Sequence, residues 1–256
     1  MSLPLVLSVP HCSSLVPDHI RSGISLTDRQ IKESEDLGTE EIFASLPAVS
    51  VVAAEWSRLL VDLNRSRHER GPKGVLPRVD YHGRSVYKKG SYPGPKQLER
   101  LLSRYYVPFH QRLNKTLSDT NILGLIDCHS LSGIGPAGAP DPGKRRKDII
   151  LGNNGSPPGS VGRVGEEPTC SPDAIKKLQE TFAKRGFSVA LNEPYAGGFI
   201  TRSYGRKLAG SGRFAVQIEI NQELYMKNGE ISCDRERVED VRKRVWSALD
   251  SFARSF

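Results

Sequence analysis

Two of the six histidines, His11 and His129, each follow or close a short apolar run: PLVLSVP at residues 4–10 and ILGLIDC at residues 122–128. A lone histidine at a strand end often does no more than bond a loop. Two placed alike on separate strands point to a shared site. Imidazole is the commonest protein ligand for transition metals. A catalytic zinc takes three protein ligands and keeps one position for water. Two histidines and one carboxylate make such a set. No short HExxH-like motif supplies it locally, so the carboxylate must come from elsewhere. Residues 27–46 offer Glu33, Glu35, Asp36, Glu40 and Glu41, most of which belong on a solvated face. Further polar groups sit at or near strand ends: Asn64 and Arg65 after 59–63, Asp127 next to His129, and Glu219 within 214–220.

The elements that must carry these groups follow from apolar spacing. Strands are expected at 4–10, 49–53, 59–63, 122–128, 148–151, 187–191 and 214–220. A helix is expected over 27–46, with Thr27 as its cap and Ile31, Leu37, Ile42, Phe43 and Leu46 as its buried stripe. Another spans 96–117, kinked or divided at Pro108. A third starts at Ser171-Pro172-Asp173, and an amphipathic helix over 234–254 closes the chain. Residues 66–95 and 131–147 read as long Gly/Pro loops, and 152–170 as a mobile flap. Strands alternating with helices imply an α/β three-layer sandwich on a mixed, largely parallel sheet, built as a single domain over 1–256. Ligands in such sheets bind beyond the carboxyl ends of the strands.

Composition narrows the function classes. No run reaches the eighteen or so apolar residues of a membrane span. The start, Met1-Ser2-Leu3-Pro4, lacks the layout of a signal peptide, so a cytoplasmic protein is expected. Cys12, Cys128, Cys170 and Cys233 form no CxxC pair and are expected as free thiols. The net charge of +8 would attract anions. Its densest clusters, 144–147 and 65–70, lack the interleaved aromatics of single-strand binders, which argues against nucleic acid and for a small anionic substrate. The sequence leaves the oligomeric state open.

Six motifs together resemble the N-formylglutamate amidohydrolase family: SVPHCS (8–13), EDLGTEEIF (35–43), SRLLVDLNR (57–65), DCHS (127–130), GGFITRSYG (197–205) and QIEINQELYM (217–226). The resemblance implies a fold like that of the zinc carboxypeptidases and aspartoacylases. It implies Zn2+, or another divalent transition metal, on His11, Asp36 and His129. In carboxypeptidases a carboxylate ligand lies three residues after the first histidine; Ser14 stands there in this chain, so Asp36 is taken instead, with Glu35 as the fallback. Glu219 is implied as general base and Arg58 as the group polarising the scissile carbonyl. Asn64 and Arg65 are implied as one carboxylate clamp and Arg202 as a second, with Gly197 and Gly198 letting backbone approach the ligand. The reaction implied is hydrolysis of the amide of a small N-acyl amino acid, N-formyl-L-glutamate to formate and L-glutamate. Departures from the family pattern are Cys12-Ser13, a longer 155–170 segment, and NEPYAGGF at 192–199. The competing readings are a carboxypeptidase or peptide amidase on the same site, and a non-catalytic basic binding protein that retains the fold.

Overall fold

A computed structural model describes residues 2–159, 162 and 166–256. Strand β1 (Leu3–Val9) carries leucines and valines on both faces and is buried along almost its whole length. It pairs in parallel with β2 (Ala48–Ala53) on one side and β3 (Gly124–Leu131) on the other. β3 pairs in parallel with β6 (Phe214–Asn221), and every residue of both strands is buried. β4 (Ile149–Gly152) runs antiparallel to β6, and β5 (Val189–Leu191) lies parallel to β4. Among the described residues the sheet order is β2-β1-β3-β6-β4-β5. The sheet is thus mixed and largely parallel, as expected from the alternation of elements.

Helices cover both faces. On one, α3 (Thr39–Phe43) and α8 (Arg235–Ala253) pack against β1, and α6 (Pro172–Ala183) packs on α8 and the β4–β5 pair. On the other, α5 (Val107–Leu117) lies over β1 and β2, and α7 (Phe199–Ala209) over β3 and β6. No helix of the described residues is long and apolar enough to cross a membrane. All four cysteines are free.

Three expectations need correction. The helix over 27–46 is two short helices, α2 (Asp28–Lys32) and α3, parted by turns at 33–38. Gly38, at φ 81°, starts α3 in a left-handed conformation that stops a continuous helix. The 59–63 run forms no strand: after β2 the chain leaves the sheet and crosses 54–65 in turns. Its apolar residues are buried by packing, which a strand and a compact turn share. The 96–117 helix does not break at Pro108. It passes from α4 (Pro95–Leu101) through a π-helical turn (Leu102–Tyr106) into α5, and the wider turn accommodates a residue that has no N–H to give. Of the segment expected as a flap, residues 160, 161 and 163–165 lie outside the described residues. Its flanks are tied down: Thr169 donates through N to Asn153 O (2.8 Å) and through Oγ1 to Ala215 O (2.7 Å).

Candidate active site

β1, β2, β3 and β6 run the same way, so their carboxyl ends meet at one edge of the sheet. His11 stands just past the end of β1. β3 runs three residues beyond the expected end at 128, which places His129 inside the strand. Side chains alternate along a strand, so Asp127 and His129 share a face of β3, and Gln217 and Glu219 share a face of β6. The register pairs Asp127 with Gln217 and His129 with Glu219. This is the α7 face, as the bond from Thr201 Oγ1 to Asp127 Oδ2 (3.0 Å) shows. Asp36 comes from the turn before α3, where its backbone N donates to His11 O (2.9 Å). The break in the expected 27–46 helix is what lets this carboxylate reach the strand ends.

His11, Asp36 and His129 each offer one ligand atom within 4.8 Å of the others. His129 Nδ1 lies 2.8 Å from Asp36 Oδ2. His11 Nδ1 lies 3.4 Å from the same oxygen without hydrogen-bond alignment, a buried nitrogen with no partner among the described residues. The opposite nitrogens face carboxylates: His11 Nε2 to Asp62 Oδ1 at 2.8 Å, and His129 Nε2 to Asp127 Oδ2 at 3.3 Å. A carboxylate behind each imidazole is the usual support of a metal-binding histidine, fixing the ring so that its other nitrogen faces the ion. Two imidazole nitrogens and a carboxylate oxygen, one of those nitrogens orphaned, fit a divalent transition metal. Glu35, the fallback ligand, is paired instead with Lys32 Nζ at 2.8 Å.

Electrostatics separate the carboxylates into two kinds. Burial opposes charge on Asp36, but His11 and His129 outweigh it and hold the carboxyl well below the usual range. Burial likewise opposes a charged His129, but Asp127 and Asp36 push it well above the usual imidazole value. Glu219 goes the other way. Burial pushes its carboxyl up to about 8, against the pull of His129 and Arg58 and with help from Asp36 and Asp127. A carboxylate poised to exchange a proton near neutrality has the property required of a general base.

The remaining expected residues surround this centre. Arg58 spends both Nη groups on carboxylates, Asp36 Oδ1 at 3.3 Å and Asp62 Oδ2 at 2.8 Å. Asn64 holds its Nδ2 3.1 Å from His129 Nε2, and its Oδ1 accepts from Ile200 N at 2.8 Å. Gly197 and Gly198 form the entry to α7. A Cβ on Gly198 would overlap the Asn64 amide, so only glycine allows this approach. Arg65 is half-buried and donates through Nε to Lys73 O (3.0 Å), while Arg202 donates through Nε to Gly198 O (3.3 Å). The Nη groups of both have no hydrogen bond among the described residues. Two residues escaped the sequence reading. Asp62 supports His11, and its signal was a lone acid inside the apolar run 59–63. Gln217 donates to Glu219 Oε1 (2.8 Å) and accepts from Gly198 N (2.6 Å); its signal was strand alternation with Glu219.

Comparisons with known proteins extend over nearly the whole chain. An N-formylglutamate deformylase of Pseudomonas putida is 29% identical over 240 residues, covering 89% of this chain and 84% of its own. That of Pseudomonas aeruginosa is 27% identical over 235 residues, covering 88% and 82%. The crystal structure of an N-formylglutamate amidohydrolase from Ralstonia eutropha superposes with a TM-score of 0.71 at 20% identity, over 100% of this chain and 96% of that one. A protein from Agrobacterium tumefaciens does so at 0.65 and 17%, over 97% and 91%; both share the fold. The family profile described as N-formylglutamate amidohydrolase matches residues 3–226, the stretch that supplies every group of the site, and the chain therefore belongs to the N-formylglutamate amidohydrolase family.

Proposed function

We propose that this chain hydrolyses N-formyl-L-glutamate to formate and L-glutamate, with a divalent metal, zinc by donor chemistry, held by His11, Asp36 and His129. The observation that carries the reading is the convergence of three ligand atoms beside a buried carboxylate raised to about 8. When bound, the ion supplies a Lewis-acidic centre that lowers the pKa of water and polarises a carbonyl. The chain's own residues do the rest. Glu219 takes a proton as water oxygen adds to the formyl carbon, then returns it to the amide nitrogen as the C–N bond breaks. Gln217 holds Glu219 in place through its Nε2. Arg58 keeps Asp36 and Asp62 oriented through one contact from each Nη, and each Nη retains a second N–H with which to polarise the scissile carbonyl. Arg65 and Arg202, whose Nη groups are unspent, are the candidates for the two carboxylates of the substrate, which a guanidinium fork binds in two places. Asn64, expected in the clamp with Arg65, holds the entry to α7 through its Oδ1.

The test is release assayed on a panel: N-formyl-L-glutamate, other N-formyl and N-acetyl amino acids, and short peptides with a free carboxyl end. Formate from N-formyl-L-glutamate at the highest kcat/KM is the expected result. Cleavage of the peptides alone would place the chain among carboxypeptidases and contradict the assignment.

A further inference from the structure

We propose that His110 and Tyr106 are positioning residues of the active site. Together they clamp the two peptide carbonyls that flank Asn64, and so fix the segment that sets Asp62 and Asn64 against the two histidines. The proposal rests on the reading of His11, Asp36 and His129 as a metal site.

The segment Asp62–Arg65 has no strand ladder, so its backbone groups must find partners elsewhere. Asp62 N donates to Val75 O (2.8 Å), and Asn64 N to Asp62 Oδ1 (2.9 Å). The carbonyls are taken by one helix. His110 Nε2 lies 3.1 Å from Leu63 O, and Tyr106 Oη donates to Arg65 O at 2.9 Å. The two residues are four apart, one turn along the same stripe, and their rings lie 4.1 Å apart. Tyr106 closes the π-helical turn Leu102–Tyr106, and His110 follows it in α5. An extra residue in a helical turn rotates everything after it, which is how such turns re-aim side chains at functional sites.

The chemistry of His110 is settled by its partners. A carbonyl only accepts, so Nε2 carries the proton, and Nδ1 accepts from the Tyr204 hydroxyl at 3.0 Å. Burial pushes the imidazole down to about 4, so it stays neutral in this one tautomer at working pH. What the clamp holds is not general scaffold. Asp62 is the partner of His11 Nε2, and Asn64 is 3.1 Å from His129 Nε2. A shift of this short segment would move the carboxylate that orients His11 and the amide that packs against His129.

The experiment measures zinc affinity by chelator competition, kcat/KM for N-formyl-L-glutamate at saturating zinc, and melting temperature. His110→Phe keeps a ring but deletes both hydrogen bonds. It is expected to weaken zinc binding by up to about 10-fold, the low end of the cost of losing a group bonded to a metal ligand, since His110 acts through the Leu63 carbonyl, and the displaced segment is expected to lower kcat/KM as well. His110→Gln places an amide N–H near the position of Nε2 and is expected to restore most of both. Tyr106→Phe removes one hydroxyl with little change in packing and should shift zinc affinity the same way by a smaller factor; it carries the test if His110→Phe does not fold. Leu249→Ala, in α8 on the opposite face, should lower the melting temperature with zinc affinity unchanged. Wild-type zinc affinity and kcat/KM in folded His110→Phe or Tyr106→Phe would overturn the clamp, as would equal losses in Leu249→Ala. Absence of zinc binding by the wild type would overturn the reading of the metal site beneath it.

Discussion

In the proposed mechanism the chemistry turns on Glu219. It is 8% exposed, it accepts from Gln217, and it stands level with His129 across the β3–β6 pair. Glu219→Gln keeps the shape and can still hydrogen-bond, but it cannot accept a proton. General-base assistance is worth about 10²- to 10⁴-fold, so kcat should fall by that order. Metal content should not change, because no ligand is lost. The pH profile adds a sign. A base works only when deprotonated, so kcat/KM of the native protein should rise as pH climbs through the pKa of Glu219. That pKa is about 8 without metal, and a bound cation pulls it lower. The Gln variant should lose this acid limb. A profile that kept the limb at near-native kcat would assign the proton transfer to another group. At this scale the sequence was most informative where a polar residue interrupts or follows an apolar run, as His11, His129 and Glu219 do. Asp62 does so too, yet its place behind His11 depends on a turn path that periodicity does not encode.

Among the elements, the turn between α2 and α3 matters most, since it delivers Asp36. Gly38 holds φ 81°, and a Cβ there would run into the Tyr225 ring, which is itself fully buried and bonded through its hydroxyl to Leu37 O at 2.7 Å. Gly38→Ala therefore combines left-handed strain, about 1–2 kcal/mol, with overpacking of about 1–3 kcal/mol. The expected result is a clear drop in melting temperature together with weaker metal binding, because Asp36 lies two residues before the strained position. Unaltered melting temperature would show that the turn tolerates the side chain. The same segment shows why a sequence reading stops short. Its apolar residues, Ile31, Leu37, Ile42, Phe43 and Leu46, are all buried as expected, but on two short helices and the turns around them and not on one stripe. Burial was legible; the direction of the chain between buried residues was not. The run 59–63 repeats the lesson: it is apolar enough for a strand and is buried in turns.

On the scale of the whole molecule, four strands running in parallel bring their carboxyl ends to one edge, and the site forms there, as in other open α/β sheets. This much followed from the alternation of elements. The antiparallel seating of β4 against β6 did not, because short buried strands carry no mark of their direction. The proposed ligands come from the end of β1, the α2–α3 turn and β3, so they meet only in the folded chain, and metal binding should report on folding and activity together. Catalysis is proposed to run on a metal held by His11, Asp36 and His129. The most direct measurement is formate release from N-formyl-L-glutamate by chelator-stripped protein, before and after stoichiometric Zn2+ is returned, with His129→Ala alongside. Stripped protein should not turn over, activity should return with Zn2+, and His129→Ala should neither bind Zn2+ nor recover; full turnover by metal-free protein would rule out metal-dependent catalysis at this site.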